Sequence, residues 1–198
     1  MGRTSNAPQR REEIAWALFD CLAENGHEKV TVKQIAARAH LPHGVIHYYF
    51  EKKDDVVAAL VESITATYMD LFEKMLEAAA PTPLERVDRM LEYLVDAFVF
   101  DRRLNRVFYN LVQMGFEREG VNAPLRRMLA AYRGTMENVF AEAGAGEAAG
   151  PVSRLLVALV EGLALQWMID PDALDKALVL NLVTQTVKNQ LAQGGRPA

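Results

Sequence analysis

Hydrophobic residues recur at helical spacing along most of the chain. Between residues 9 and 26, the apolar positions fall at i, i+3, i+4, i+7 and i+8, the spacing of one helix face; they are Ile14, Ala17, Leu18, Cys21 and Leu22. The same periodicity predicts further helices at 32–39, 43–50, 54–79, 84–101, 102–116, 125–143, 152–169 and 173–191. No segment shows the alternation between turn signals that is typical of a half-buried strand. We therefore predict an all-α protein with about nine helices.

Residues that begin or end helices separate these patterns. Gly26 is a natural end for the first helix, and Thr31 is a favourable N-cap for the second. The run His40-Leu41-Pro42 then interrupts the chain before the third helix. Further loops are predicted at 120–124 and 144–151, with an arm at 1–9 and a disordered tail at 194–198.

Composition places the chain among soluble globular proteins. Hydrophobic residues make up 51% and charged residues 24%, which is enough for a substantial core and too little charge for a disordered chain. The single cysteine, Cys21, excludes an intrachain disulfide and fits a reducing cytoplasm. We interpret it as a small core residue because it lies on the apolar face of its helix. The N-terminus lacks an apolar signal core, and no uninterrupted apolar run reaches the ~18 residues of a membrane span.

The net charge of -4 argues at first against a protein that binds nucleic acid. The charge is unevenly distributed, however. Residues 1–55 contain eight basic and eight acidic residues, so residues 56–198 contain 22 − 8 = 14 basic and 26 − 8 = 18 acidic residues and carry the whole net charge. A neutral module can still bind DNA if its cations share one face.

Candidate catalytic chemistry is sparse. The sequence lacks a glycine-rich phosphate loop, paired cysteines and an HExxH motif, so neither an enzyme nor a bound cofactor is predicted. His43 and His47 lie one helical turn apart and could bind a metal, but no carboxylate or cysteine nearby completes a ligand set. The remaining interpretations are ordinary surface histidines, or hydrogen-bond donors to DNA. We favour the DNA interpretation, without a metal, because both residues lie on the second of two short helices joined by a tight turn.

The residues of this helix-turn-helix resemble a known family. The segment VTVKQIAARAHLPHGVIHYYFEKKDDVVAAL and the preceding IAWALFDCLAENGHEKVTV are similar to the N-terminal domain of TetR-type transcriptional repressors. The specific match covers about residues 11–61. It includes Gly26, Thr31, Ile35-Ala36, Ala39, Gly44, Tyr49-Phe50 and Lys53.

The resemblance implies which residues contact DNA. Thr31 and Lys33 would meet phosphates at the start of the second helix, and Tyr49 and Lys53 would touch the backbone of the other strand. The implied groove-facing residues are His43, Gly44, Val45, His47 and Tyr48. Simple core packing is the alternative for the aromatic run 48–50, and we expect it for Phe50 but not for Tyr48.

Two histidines depart from the family pattern. His40 occupies a turn position where the family usually has glycine, and a left-handed non-glycine residue there costs about 1 kcal/mol or more. His47 stands where the family usually has tyrosine. An imidazole can still donate a hydrogen bond to phosphate.

The last two helical patterns resemble the dimerising pair of the family. In the first of them, leucines recur every four residues beside a second apolar row, a wider apolar surface than one side of a monomer core needs. The predicted dimerisation residues are Leu155, Leu159, Leu163, Leu174 and Leu178. A purely intrachain core is the alternative. The predicted domains are residues 9–55 for DNA binding, and residues 56–193 for ligand binding and dimerisation.

Most aromatic residues and methionines lie between the two ends of the chain. Apolar, aromatic and methionine-rich linings with a few polar groups are typical of small-molecule sites. The candidates are Met90, Tyr93, Phe98, Phe108, Tyr109, Gln113, Phe116, Tyr132 and Trp167. For each of these, ordinary core packing is the alternative.

Together, these features predict a ligand-responsive transcriptional regulator. We expect a homodimeric repressor that binds a palindromic double-stranded DNA operator and is released by a small apolar or amphipathic effector. The resemblance implies that ligand binding biases the fourth helix and changes the spacing of the two reading helices. A DNA-binding or architectural factor without an effector is one alternative. An enzyme is another, disfavoured by the lack of a convergent acid, base, nucleophile or metal set.

Overall fold

The computed structural model describes residues 7–79 and 82–194. Within these ranges the chain forms nine α-helices and no strand. The helices are α1 (Ala7–Glu24), α2 (Val32–Arg38), α3 (His43–Tyr49), α4 (Lys53–Ala79), α5 (Pro83–Leu94), α6 (Arg102–Glu117), α7 (Glu119–Glu142), α8 (Ala149–Ile169) and α9 (Lys176–Gly194). The all-α prediction is confirmed. Most of the predicted arm (residues 1–6) and tail (195–198) lie outside the described residues.

The predicted loop at 120–124 is wrong, because α7 begins at Glu119 and contains Pro124. Proline removes a backbone donor and crowds the carbonyl four residues earlier, here that of Gly120. Gly120 is exposed, so water can satisfy this carbonyl. Burial of Val121 and Leu125 favours the helix on either side. A methyl group added at Gly115 would lie 2.7 Å from Leu125 Cδ1, so glycine permits the close approach of α6 to α7.

Three other boundaries also differ from the periodic pattern. The predicted helix 84–101 ends its regular α-helical part at Leu94 and continues as a π-helical turn, Val95–Val99. The predicted loop 144–151 contracts to a short turn before α8 begins at Ala149. The last helix begins at Lys176 instead of residue 173. Periodicity locates apolar faces, but it does not detect a local change of helix type or the exact helix ends.

The chain divides into two compact units. Among the described residues, the first contains 7–68 and 106–128, and the second contains 69–79, 82–105 and 129–194. Helices α4, α6 and α7 therefore each contribute residues to both units.

The core of the first unit lies among α1, α2 and α3, which pack on one another. Its largest fully buried side chains include Ile14, Leu18, Leu22, Ile35 and Ile46. Cys21 is also buried, as predicted from its place on the apolar face of α1. Burial raises the pKa of its thiol, which disfavours the reactive thiolate.

The second unit has its own apolar core, built from α5, α7, α8 and α9. Its fully buried large side chains include Met90, Leu91, Phe140 and Leu156. Asn105 is one of the few buried polar residues; its Nδ2 donates to the carbonyls of Phe98 at 2.9 Å and Val99 at 3.2 Å. These hydrogen bonds satisfy carbonyls at the end of the π-helical turn, where the regular helical pattern is broken.

Candidate DNA-binding site

A capping box starts helix α2. The Gln34 N–H donates to Thr31 Oγ1 at 3.3 Å, and the Thr31 N–H donates to Gln34 Oε1 at 2.8 Å. This exchange satisfies two backbone donors that a helix N-terminus leaves unpaired. The predicted N-cap role of Thr31 is confirmed. Thr31 and Lys33 are both exposed beside this helix start.

The turn between α2 and α3 contains a residue in the left-handed conformation that is not glycine. His40 has φ 55°. Its N–H donates to the carbonyl of Ala37 at 3.2 Å, and the Leu41 N–H donates to the carbonyl of Ala36 at 2.9 Å. This pair of bonds is the Schellman arrangement that ends many helices. The histidine therefore preserves the turn at a conformational cost.

Replacing His40 with glycine should stabilise the protein by about 0.5–1 kcal/mol. Glycine removes the cost of about 1–2 kcal/mol that the left-handed backbone imposes on a residue with a side chain. Glycine also increases the entropy of the unfolded chain, and this offsets only part of that gain. Urea unfolding measures the change. Ala37→Gly, which introduces glycine within helix α2, should destabilise the protein by about 1 kcal/mol. Equal signs for the two variants would contradict the assignment of strain to His40.

Two buried side chains hold the short helix α3 in place. Ile46 is 1% exposed and Phe50, immediately after the helix, is 3% exposed. The guanidinium of Arg11 lies 4.1 Å from the Phe50 ring centroid and also donates to the Tyr49 carbonyl. A seven-residue helix is not stable alone, so this packing determines its position.

The opposite side of α3 is open to solvent. His43, Gly44, His47 and Tyr48 are all exposed, and Tyr48 retains 82% exposure. Val45 is half-buried. The structure thus brings the five predicted groove-facing residues together on one short helix. As expected, Phe50 is a core residue and Tyr48 a surface residue.

The cations around α3 differ in availability. Lys33 and Lys52 are exposed. Lys53, in contrast, is half-buried, and its ammonium donates to the carbonyls of His27 at 3.3 Å and of Val30. Burial lowers the pKa of this ammonium, and the nearby Arg118 lowers it further. Lys53 therefore joins the start of α4 to the turn before α2, and contact with phosphate would require it to leave these carbonyls.

The predicted ligand-binding residues are divided between the two units. In the second unit, Tyr93, Phe98 and Tyr132 form a row of edge-contacting rings, with centroids 6.1 Å and 6.0 Å apart. Phe72 extends this row at 5.7 Å from Tyr93, and it was missed by the sequence analysis. We call these four residues the aromatic row. Met90 is fully buried in the same unit, and Trp167 pairs with Phe100 at 5.5 Å.

The other four candidates belong to the first unit. Phe108 and Tyr109 are half-buried and contact each other at 5.8 Å. Gln113 is exposed, and Phe116 is 81% exposed. Four candidates of the second unit, Met90, Tyr93, Phe98 and Tyr132, therefore share one apolar core, whereas Trp167 contacts Phe100.

The predicted dimerisation residues also separate by exposure. Leu163 is buried in the core of the second unit, and Leu155, Leu159 and Leu174 are half-buried. Only Leu178 is largely exposed, at 65%. Large exposed residues that the sequence analysis missed are Leu165, Ile169 and Leu182, each four residues from another exposed apolar residue on its helix. We call Leu165, Ile169, Leu178 and Leu182 the outer leucine-isoleucine face.

Residues 146–169 are long and apolar enough, by length and composition alone, to cross a membrane. One such helix is weak evidence, because the core helix of a soluble protein meets the same criterion. Here Leu156 and Val160 pack into the core of the second unit, whereas Leu165 and Ile169 are exposed. Apolar residues on two faces of α8 explain its high mean hydropathy.

Glu161 lies in this apolar helix, and burial raises the pKa of its carboxyl to about 7. The folded state thus retains the proton that the unfolded chain loses near the ordinary value of 4.5. Because the unfolded state then binds fewer protons, stability should fall as pH rises from about 4.5 to about 7.

Glu161→Gln should reduce this pH dependence and raise the melting temperature at pH 8 relative to the parent protein. Thermal unfolding at pH 5 and pH 8 measures both effects. Glu147→Gln, at an exposed position, serves as the control and should leave the pH dependence intact. An unchanged pH dependence in Glu161→Gln would refute the prediction.

The helix-turn-helix, its solvent-exposed α3 and the separate helical unit define a DNA-binding transcriptional regulator. Two family models match the chain: residues 16–60 match the bacterial regulatory proteins of the tetR family, and residues 83–192 match the C-terminal region of BetI-type transcriptional repressors. The second match alone spans more than half of the chain. The chain belongs to the TetR family of transcriptional regulators, and it is therefore not an enzyme.

Individual relatives agree with this assignment. The transcriptional regulator BetI of Klebsiella pneumoniae (strain 342) is 24% identical over 196 residues, covering 96% of this chain and 98% of that protein. A transcriptional regulator of Pseudomonas aeruginosa PAO1 has a similar fold, with a TM-score of 0.83, 21% identity, and coverage of 96% of this chain and 93% of that chain.

Two further solved structures contain ligands. A regulator of Saccharomonospora viridis in complex with choline has a TM-score of 0.75 and 18% identity, covering 93% of this chain and 97% of that chain. FadR of Bacillus subtilis in complex with stearoyl-CoA has a TM-score of 0.73 and 18% identity, covering 93% and 98%. At these identities the likeness shows the fold alone.

Proposed function

We propose that this protein is a homodimeric repressor that binds a palindromic operator and releases it when a small apolar or amphipathic molecule binds. The observation that carries the proposal is the exposed polar and aromatic face of α3 on a buried anchor, Ile46. In proteins with this architecture, the second helix of the motif enters the major groove. The protein would act in the cytoplasm, where the operator is accessible.

In this proposal, some residues position the protein on the DNA backbone and others recognise the base sequence. Lys33 and Lys52 are exposed cations that would neutralise phosphates and make binding salt-dependent. His47 and Tyr48 would offer hydrogen-bonding groups to base edges or phosphates, and Gly44 would let the backbone approach closely. The remaining predicted contacts, from Thr31, His43, Val45, Tyr49 and Lys53, surround these.

A dimer would bring two copies of α3 to adjacent major grooves. The outer leucine-isoleucine face supports this arrangement, because its four large apolar side chains are each at least 48% exposed in the single chain. Burial against a second copy would remove that surface from water, at about 25 cal/mol per Å². A two-fold dimer with half-sites about 34–36 Å apart would match a palindromic operator.

The second unit is the proposed effector site. Its aromatic row offers apolar surface and phenol groups, the composition that small-molecule sites favour. Two proteins of similar fold contain ligands: stearoyl-CoA, which is amphipathic, and choline, which is a small quaternary ammonium ion. Because these ligands differ in size and chemistry, they support only a small-molecule effector of some kind for this chain.

Coupling between effector and DNA would pass through helices that contribute to both units. Within the first unit, α6 holds the turn before α2: Asn110 Oδ1 accepts a hydrogen bond from the His27 N–H at 2.7 Å. Arg118, which lies between α6 and α7, forms an ion pair with Asp54 of α4 at 3.1 Å. Movement of α4 or α6 would therefore change the position of the reading helix, and effector and operator would oppose each other by linkage.

Selection of bound sequences from random duplexes by the purified protein would test operator binding. We expect a palindromic consensus, bound with an affinity that falls as salt rises. Fluorescence anisotropy with that duplex would then be used to screen amphipathic compounds for release. A selected sequence without a palindrome would overturn the dimeric operator, and failure of every amphipathic class would favour a regulator without an effector.

A further inference from the structure

We propose that His43 and His47 form a binding site for one divalent transition-metal ion on α3, and that metal in this site prevents specific DNA binding. The geometry of α3 alone supports the metal site. The effect on DNA rests on the proposed DNA-binding function.

The two imidazoles are already neighbours. His43 and His47 are one helical turn apart, and their ring centroids lie 5.7 Å from each other with an angle of 74° between the planes. Both side chains are exposed, so a hydrated ion can reach them from solvent. Ile46, which lies between them in sequence, is buried and anchors the helix backbone that carries both rings.

Two histidines at i and i+4 on one helix face are a known arrangement for holding a divalent ion. Among the described residues, no group of three or more His, Cys, Asp or Glu side chains could hold a metal. The site therefore has two protein ligands, and water completes the coordination. Such an open site binds more weakly than a closed four-ligand site. Imidazole nitrogen donors favour Cu²⁺ over Ni²⁺ and Zn²⁺.

Metal binding would alter the face proposed to read DNA. A nitrogen that coordinates the ion is no longer available to bond a base edge or phosphate. The ion and its waters would also occupy space between α3 and the groove floor. Specific operator recognition would weaken for both reasons, while the added charge would leave general attraction to phosphates intact.

Calorimetric titration of the untagged, full-length protein with Cu²⁺ tests the site. We expect one ion per chain, and electron paramagnetic resonance should show nitrogen ligands. His43→Gln and His47→Gln should each weaken binding by roughly tenfold or more. Since both side chains are exposed, thermal unfolding should confirm that these variants fold. Unchanged Cu²⁺ binding in either variant, or no binding by the parent protein, would overturn the site.

His40→Gln and His27→Gln are the matched controls, because they remove the other two histidines of the chain. Both should bind Cu²⁺ as the parent does. A loss of binding in His40→Gln would overturn the two-ligand arrangement.

A second measurement addresses DNA. With the selected operator, Cu²⁺ should weaken binding by the parent protein roughly tenfold, and EDTA should restore it. Since His43 is itself a predicted DNA contact, His43→Gln should bind the operator more weakly than the parent in EDTA, and Cu²⁺ should leave that weaker affinity unchanged. Equal operator affinity with and without Cu²⁺ would overturn the antagonism. A parent protein that binds no DNA even in EDTA would instead refute the proposed function and leave the metal titration standing.

Discussion

Leu178→Glu is expected to convert the protein into a monomer and to weaken operator binding by about 100-fold, because a dimer gains avidity from two half-sites. Leu178 is 65% exposed in the single chain, so the substitution leaves the intrachain core intact. A two-fold interface contains the substituted residue twice, once from each copy of the chain. Burying an unpaired carboxylate is strongly unfavourable. Leu182→Glu, one turn further along α9, should behave in the same way.

Leu84→Glu provides a matched control. Leu84 is 60% exposed, nearly the same as Leu178, but it lies on α5 and is not part of the outer leucine-isoleucine face. This variant should stay dimeric and bind DNA normally. Analytical ultracentrifugation and fluorescence anisotropy measure the two properties. A Leu178→Glu monomer with parental operator affinity would contradict the proposed arrangement.

Ile46→Ala is expected to lower the free energy of unfolding by about 2–4 kcal/mol, the typical cost of truncating a fully buried large aliphatic residue. Ile46 is 1% exposed and belongs to a helix of seven residues that depends on packing. A cavity beneath α3 should therefore also loosen the reading face. Urea unfolding measures the stability, and anisotropy measures DNA binding.

Tyr48→Ala tests DNA recognition separately from protein stability. Tyr48 is 82% exposed, so its removal should change stability by less than about 0.5 kcal/mol. Operator affinity should nevertheless fall, roughly tenfold for one lost contact. If Ile46→Ala and Tyr48→Ala changed stability equally, the division of α3 into an anchoring and a reading side would be wrong.

Local signals in the sequence were sufficient for the helical architecture and the helix-turn-helix. Apolar periodicity reports one helix face, and a capping residue such as Thr31 acts on donors within its own turn, so both are visible in a short window. Pro124 misled the prediction for the same reason. Its local preference for a loop was overridden by burial of the apolar residues on both sides.

A short stretch of sequence could not predict which side chains are exposed at the proposed functional surfaces. Periodicity placed leucines at regular positions on α8, but it could not show that Leu163 faces the intrachain core while Leu165 stays exposed. It could not show that Lys53 contacts the carbonyls of the turn before α2, because that contact joins residues far apart in the chain.

The sequence by itself determined the family, the fold class and the residues of α3, since each depends on short-range patterns that remain visible despite the departures at His40 and His47. The tertiary structure decided which side chains are available. His43 and His47 lie together on the exposed side of α3. The Lys53 ammonium donates to backbone carbonyls, and the candidate ligand-binding residues are divided between the two units. Burial and pairing depend on distant segments meeting, and those contacts arise only when the chain is folded.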